Sequence, residues 1–151
     1  MESALPIPPL LWPPDYPPKN RWKLFFIGVR GLGPDLSFFA SLKAQQALRT
    51  EHALSAWQEA DRPIALMVGR ALMEDVGWPT PWFIPTDPFV VVANGPRYQE
   101  IDDLGVYTAF REIEEALGLR LSRQFWKAAF EDTVGGVVAS LSRQSKQRHG
   151  A

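Results

Sequence analysis

The side chains of this chain best suited to chemistry are its clustered carboxylates: Asp102 with Asp103, then Glu112, Glu114 and Glu115. Paired carboxylates can share a proton, hold a hard cation or do acid–base work when a pocket desolvates them. Consecutive helical residues point about 100° apart, so spacing alone does not make these acids converge. They read as an acidic first helical turn and a solvated face. His52 and His149 are the only histidines and there is no cysteine, which removes a histidine triad, a zinc site, thiolate chemistry and disulfides together. The glycines from Gly28 to Gly33 lack the Lys-Ser/Thr that grips phosphate, and read as turn glycines. Trp78, Trp82, Phe83 and Phe89 could stack a base or a sugar, but their neighbours are prolines and aliphatics rather than orienting polar groups, so packing of the loop is the reading we adopt. No catalytic residue, cofactor or metal follows from these residues.

The 151 residues carry a formal charge of −1, which provides no field to gather nucleic acid or an anionic membrane. The start, Met1-Glu2-Ser3-Ala4, has no positive leader region. The first long apolar stretch, Trp22 to Leu32, is interrupted by Lys23 and Arg30 and falls short of the roughly 20 apolar residues of a membrane span. A cytoplasmic protein binding neither nucleic acid nor membrane is expected.

The elements that would position any site follow from prolines, caps and periodicity. Residues 1–20 hold prolines at 6, 8, 9, 13, 14, 17 and 18, which forbid helix and central strand and leave an extended arm bearing Leu10, Leu11, Trp12 and Tyr16. Those side chains either pack on the body, the reading we adopt, or present a ligand for an aromatic groove. Across residues 21–60, Trp22 to Val29 reads as a short strand or buried extended segment. Asp35 then caps a helix through Leu36, Phe39, Leu42 and Leu48 that breaks near Thr50 and resumes to Trp57. Within 61–142, Asp61 and Pro63 open a helix with one buried stripe, Ile64, Met67, Val68, Ala71, Leu72 and Val76, stopped by Gly77. The loop Gly77 to Phe89 must be pinned by its own side chains. Phe89 to Ala93 reads as a strand closed by Asn94-Gly95-Pro96. A helix from Asp102 or Asp103 presents Val106, Ala109, Phe110, Ile113 and Leu117 on one face and ends at Gly118. Ser122 to Phe130 forms a third helix, and Asp132 or Thr133 caps a last one through Leu141. A basic, frayed tail, 143–151, is expected to follow. The chain is thus predicted to be mainly α, with an extended N-terminal arm and at most a short strand or hairpin.

Residues 60 to 142 resemble acyl carrier proteins, small four-helix bundles. The resemblance rests on Asp102-Asp103-Leu104, on Phe110, Ile113, Glu114, Glu115, Leu117, Leu119 and Leu121, and on Thr133-Val134-Gly135-Gly136-Val137-Val138. It implies a carrier-like four-helix bundle with Pro63 to Val76 as its first helix and 77–101 as its long loop. Carriers attach phosphopantetheine to a serine. The corresponding position here is Asp103 or, in the other alignment, Thr108; Asp103 has no hydroxyl, and Thr108 is a crowded one. The resemblance therefore implies a degenerate carrier without prosthetic group, in which only a protein-docking face remains.

The function expected is a non-enzymatic protein-interaction module that binds another protein, with Glu112, Glu114 and Glu115 as docking residues and Trp82 and Phe83 as loop contacts. Two alternatives stand beside it. One is a modified carrier using Thr108, or a small carboxylate enzyme built on Asp102 and Asp103; the other is an immunity or antitoxin-like binding protein.

Overall fold

The computed structural model describes residues 7–13, 38–94 and 104–149, and within them the chain is mainly α-helical with no β-strand. The expected segment Trp22–Val29, the Asp35 cap, the Asp102–Asp103 helix start and the Gly95-Pro96 turn lie outside the described residues.

Helix α1 spans Phe38–Ala47. Thr50 then interrupts the helical path: its hydroxyl accepts from the His52 N–H (3.3 Å) and opens a 3-10 helix, Glu51–Ala56. A second short turn, Glu59–Asp61, leads into α2, Arg62–Ala71, with Pro63 in the first turn. There the missing amide of proline costs nothing, because first-turn N–H groups have no intrahelical partner. Asp61 was expected to cap this helix with its side chain but makes no such bond. From Ala71 the helix widens into a π-helical turn, Leu72–Val76, and stops at Gly77, whose φ of +102° is open to glycine at little cost. The buried face of α2 includes Ala65, Val68, Gly69 and Ala71. Ile64 and Met67 are only partly covered. Val68, Ala71, Leu72 and Val76 of the expected stripe are buried, and Gly69 joins that face where the loop crosses, since any Cβ there would run into the Pro81 carbonyl oxygen.

The run Phe89 to Ala93, expected as a strand, is instead helix α3, Phe89–Asn94. Phe89, Val91, Val92 and Ala93 are all buried, and a short run that is apolar on every side carries no periodicity to separate strand from helix. Extended pairing here is limited to a single bridge between Pro88 and Thr133. Helix α4, Leu104–Leu117, ends at Gly118 with φ +64°. Ser122 caps α5, Arg123–Ala129, by accepting from the Phe125 N–H at 3.0 Å. Thr133 caps α6, Val134–His149, by accepting from the Gly136 N–H at 3.1 Å. Helix α6 continues through the basic residues expected to fray, since Arg, Gln and Lys are good helix formers and Ser142 is still buried.

These helices form a bundle in which α4 packs against α2 and its π-helical turn, and α2 against α6. Aromatic rings fill the middle. Phe110 stacks on Trp126 with centroids 3.9 Å apart, and Phe89 lies 6.1 Å from Phe110 and 5.8 Å from Phe130. Val134, Val137, Val138 and Leu141 close the core from α6. Each fully buried side chain of this size contributes roughly 1.5–3 kcal/mol. Among the described residues no helix is long and apolar enough to cross a membrane.

Candidate functional site

The three glutamates expected as docking residues differ in environment: Glu112 and Glu115 are exposed and Glu114 is half-buried. The Glu114 Oε1 accepts from the Trp126 indole N–H (3.0 Å) and the Leu121 N–H (3.3 Å), bracing α5 and the connecting loop against α4. Glu112 faces Asp75 of the π-helical turn. Its carboxyl is held above the ordinary 4.5, first by the side-chain hydrogen bond with Asp75, then by burial, then by the like charge of Asp75. Glu115 remains exposed to solvent. Glu112 and Glu115, three residues apart, are therefore neighbours on the exposed side of α4.

The loop contacts divide as well. Phe83, expected as a contact, is a core residue with 3 % exposure, edge-on to Trp78 with centroids 5.8 Å apart. The Pro-rich loop turns it inward, into the core. Trp82 is half-exposed, and its carbonyl accepts from Gln46 Nε2 and Arg49 Nη1, both at 3.3 Å. Thr108 is half-buried on α4. Asp103, like Asp102, falls outside the described residues.

Around the C-terminal end of α4 lies a groove of about 620 Å3, lined by Arg111, Glu114, Glu115, Leu119, Arg120 and Arg148, with Gly118 and Leu121 completing the wall. Arg111, Arg120 and Arg148 form no ion pair among the described residues. The two lining glutamates are not equivalent, because Glu114 is already engaged with Trp126 and Leu121. On the exposed side of α4, Tyr107, Arg111 and Glu115 succeed one another at intervals of four, the spacing that aligns helical side chains in one row. Tyr107 is 62 % exposed and stands edge-on to Phe110.

The most constrained polar cluster is one that reading the sequence did not single out. Asp87 is fully buried, and Arg49 grips it with both ends of its guanidinium: Nη1 to Oδ2 at 2.6 Å and Nη2 to Oδ1 at 2.9 Å. The same carboxylate accepts the Leu10 N–H on Oδ1 (3.0 Å) and the Ile84 N–H on Oδ2 (2.9 Å). Gln46, also fully buried, donates to the Thr80 carbonyl at 2.8 Å and accepts from the Thr80 N–H at 3.0 Å. The loop is thus fastened to α1 at two points. Its far side is tied to α6: the Val134 N–H donates to the Asp87 carbonyl (2.8 Å) and the Gly135 N–H to the Pro85 carbonyl (3.0 Å). Asp87 is the only charged residue between Gly77 and Phe89, and a lone charge in a loop that must be pinned is the signal that calls for a buried cation elsewhere.

Among the described residues no group of three His, Asp or Glu side chains converges to hold a metal ion. The chain matches no family model, no curated protein and no solved structure.

Proposed function

We propose that this chain is a non-enzymatic protein-interaction module, a degenerate acyl-carrier-like domain without prosthetic group, which docks an acidic segment of a partner protein on α4 and the end of α6. The carrier-like part of this reading rests on the helix order α2, long connection, α4, short α5, α6. The docking surface rests on one observation. Exposed Tyr107 leads a row with Arg111 and Glu115 into a groove where Arg120 and Arg148 also form no ion pair among the described residues. Tyrosine and arginine are the residue types that concentrate binding energy at interfaces, and three guanidiniums against one free carboxylate favour an anionic occupant. The sign is the reverse of that expected from the Glu-rich sequence of α4, because Glu114 is internally bonded and Glu112 faces Asp75.

Native mass spectrometry of the tagged chain isolated from its own host tests this reading. The wild-type chain should be unmodified and hold a partner that the R111E/R148E variant loses and the E112Q variant keeps. A phosphopantetheine-sized mass addition would make the chain an active carrier. Equal retention of the partner by all three forms would remove the groove from the docking surface.

A further inference from the structure

Residues 7–13 meet the body in the manner of a bound peptide. They form no helix or strand. Their main chain is read twice: the Leu10 N–H donates to Asp87 Oδ1 at 3.0 Å, and the Pro8 carbonyl accepts from Arg49 Nη2 at 3.0 Å and Gln45 Nε2 at 3.5 Å. One side chain, Leu10, enters the core completely, and Trp12 packs beside it, while Leu11 is 58 % exposed. Main-chain hydrogen bonds with a single apolar anchor are how extended peptides are recognised, and prolines at 8, 9 and 13 lower the entropy lost by fixing φ beforehand.

The charged groups of the seat bond to the body as well as to the arm. Without residues 7–13, Asp87 would keep both bonds from Arg49 and the Ile84 N–H, and Arg49 would keep its bond to the Trp82 carbonyl. Every group that reads the arm comes from α1, Arg49 or the loop, and Arg49 and Asp87 are also bonded within the body. Residues 14 to 37 separate the arm from α1, so the arm is a ligand tethered to its own receptor.

We infer that the Arg49–Asp87 seat is a peptide-binding site for an extended proline-rich segment with leucine two residues after the carbonyl that Arg49 reads, a Pro-Pro-Leu pattern. In the resting chain its own residues 7–13 occupy the seat. A segment of that pattern on a separate partner protein binds there by displacing the arm. This site lies apart from the groove on α4, and it stands or falls without it.

The test uses the full chain and a fluorescent peptide of residues 7–13, Ile-Pro-Pro-Leu-Leu-Trp-Pro. The L10D variant removes the anchor of the tethered arm, and circular dichroism checks that its helices are retained. Anisotropy should report peptide binding to L10D at least about ten-fold tighter than to wild type, where the tethered arm competes at high effective concentration. The same peptide carrying Leu10→Asp should bind neither. If L10D does not fold, amide exchange in the wild-type chain replaces it: saturating peptide should speed exchange at Leu10 and leave Ile84 protected. Equal affinity for both chains, or binding that ignores the peptide's leucine, would overturn the proposal. A concentration-dependent dimer of the wild-type chain that disappears in L10D would reassign the seat to the arm of a second copy and overturn it as a site for a separate partner.

Discussion

Two regions of this molecule are built from the same residue types and treat them oppositely. At the Arg49–Asp87 cluster, both charges are buried and the carboxylate accepts four hydrogen bonds. In the groove of α4 and α6, Arg111, Arg120 and Arg148 are exposed and unpaired among the described residues. The Asp87 carboxylate is fully engaged, with Arg49 Nε alone of the cluster's polar atoms left without a hydrogen-bond partner, and removing either member of a buried ion pair leaves an uncompensated charge. The pair therefore behaves as a fastener. Exposed arginines contribute little to stability, which leaves them free to respond to whatever approaches. Charge type alone does not identify a site; whether internal partners already satisfy it does.

The largest effect that would sharpen this contrast is expected at Asp87. Replacing it with alanine strands the Arg49 guanidinium and orphans the Ile84 amide, and should lower unfolding free energy by about 3–5 kcal/mol in a urea titration. A change below about 1 kcal/mol would break the fastener account.

Glu114 comes next, since it is a glutamate lining the groove that behaves like the buried cluster. E114A removes the acceptor of the Trp126 indole and Leu121 N–H groups, and should cost about 1–3 kcal/mol of stability. A purely docking role would leave the thermal midpoint unmoved.

Glu112 gives a smaller effect whose sign is diagnostic. Its carboxyl in the folded chain titrates above 4.5 because of Asp75. The folded state therefore binds more protons than the unfolded state in that range, and the pair's favourable contribution is full below 4.5 and fades as pH rises through the folded value. The E112Q variant should be more stable than wild type at pH 7 and should lose the part of the pH slope above 4.5 that wild type shows. An unchanged slope in a series of thermal melts would remove the Asp75 contact from the account. Smallest of all, R111E/R148E should stay within about 0.5 kcal/mol of wild type in stability, whatever it does to binding.

How far the sequence could be read depends on how local each signal is. Gly77 and Gly118 were recognisable as helix stops, and both adopt the left-handed backbone; of the two candidate caps Asp132 and Thr133, Thr133 accepts the amide, while Ser122, read only as the start of a helix, proves to cap it. Such features involve residues two or three apart. Phe89 to Ala93 was misread as a strand because its environment, with Phe110, Trp126 and Phe130 around Phe89, is supplied by distant parts of the chain. The Arg49–Asp87 pair joins residues 38 apart, and no spacing rule announces it. The separation of Glu114 from Glu112 and Glu115 was half legible: the helical angle sets it apart, but only the fold reveals that Glu114 meets Trp126 and Glu112 faces Asp75. The carrier-like bundle remains part of the proposed function, while the helical bundle itself is a finding.

The central claim is that the groove charges meet an acidic segment, while the buried Arg49–Asp87 pair, already bonded internally, does not respond to a free anion. Amide NMR during titration with poly-glutamate, an anionic probe, tests it most directly. The account predicts saturable shifts at Arg111, Gly118 to Leu121 and Arg148, with Gln46, Ile84 and Asp87 stationary. Shifts centred on Asp87, or none in the groove at saturating peptide, would contradict it.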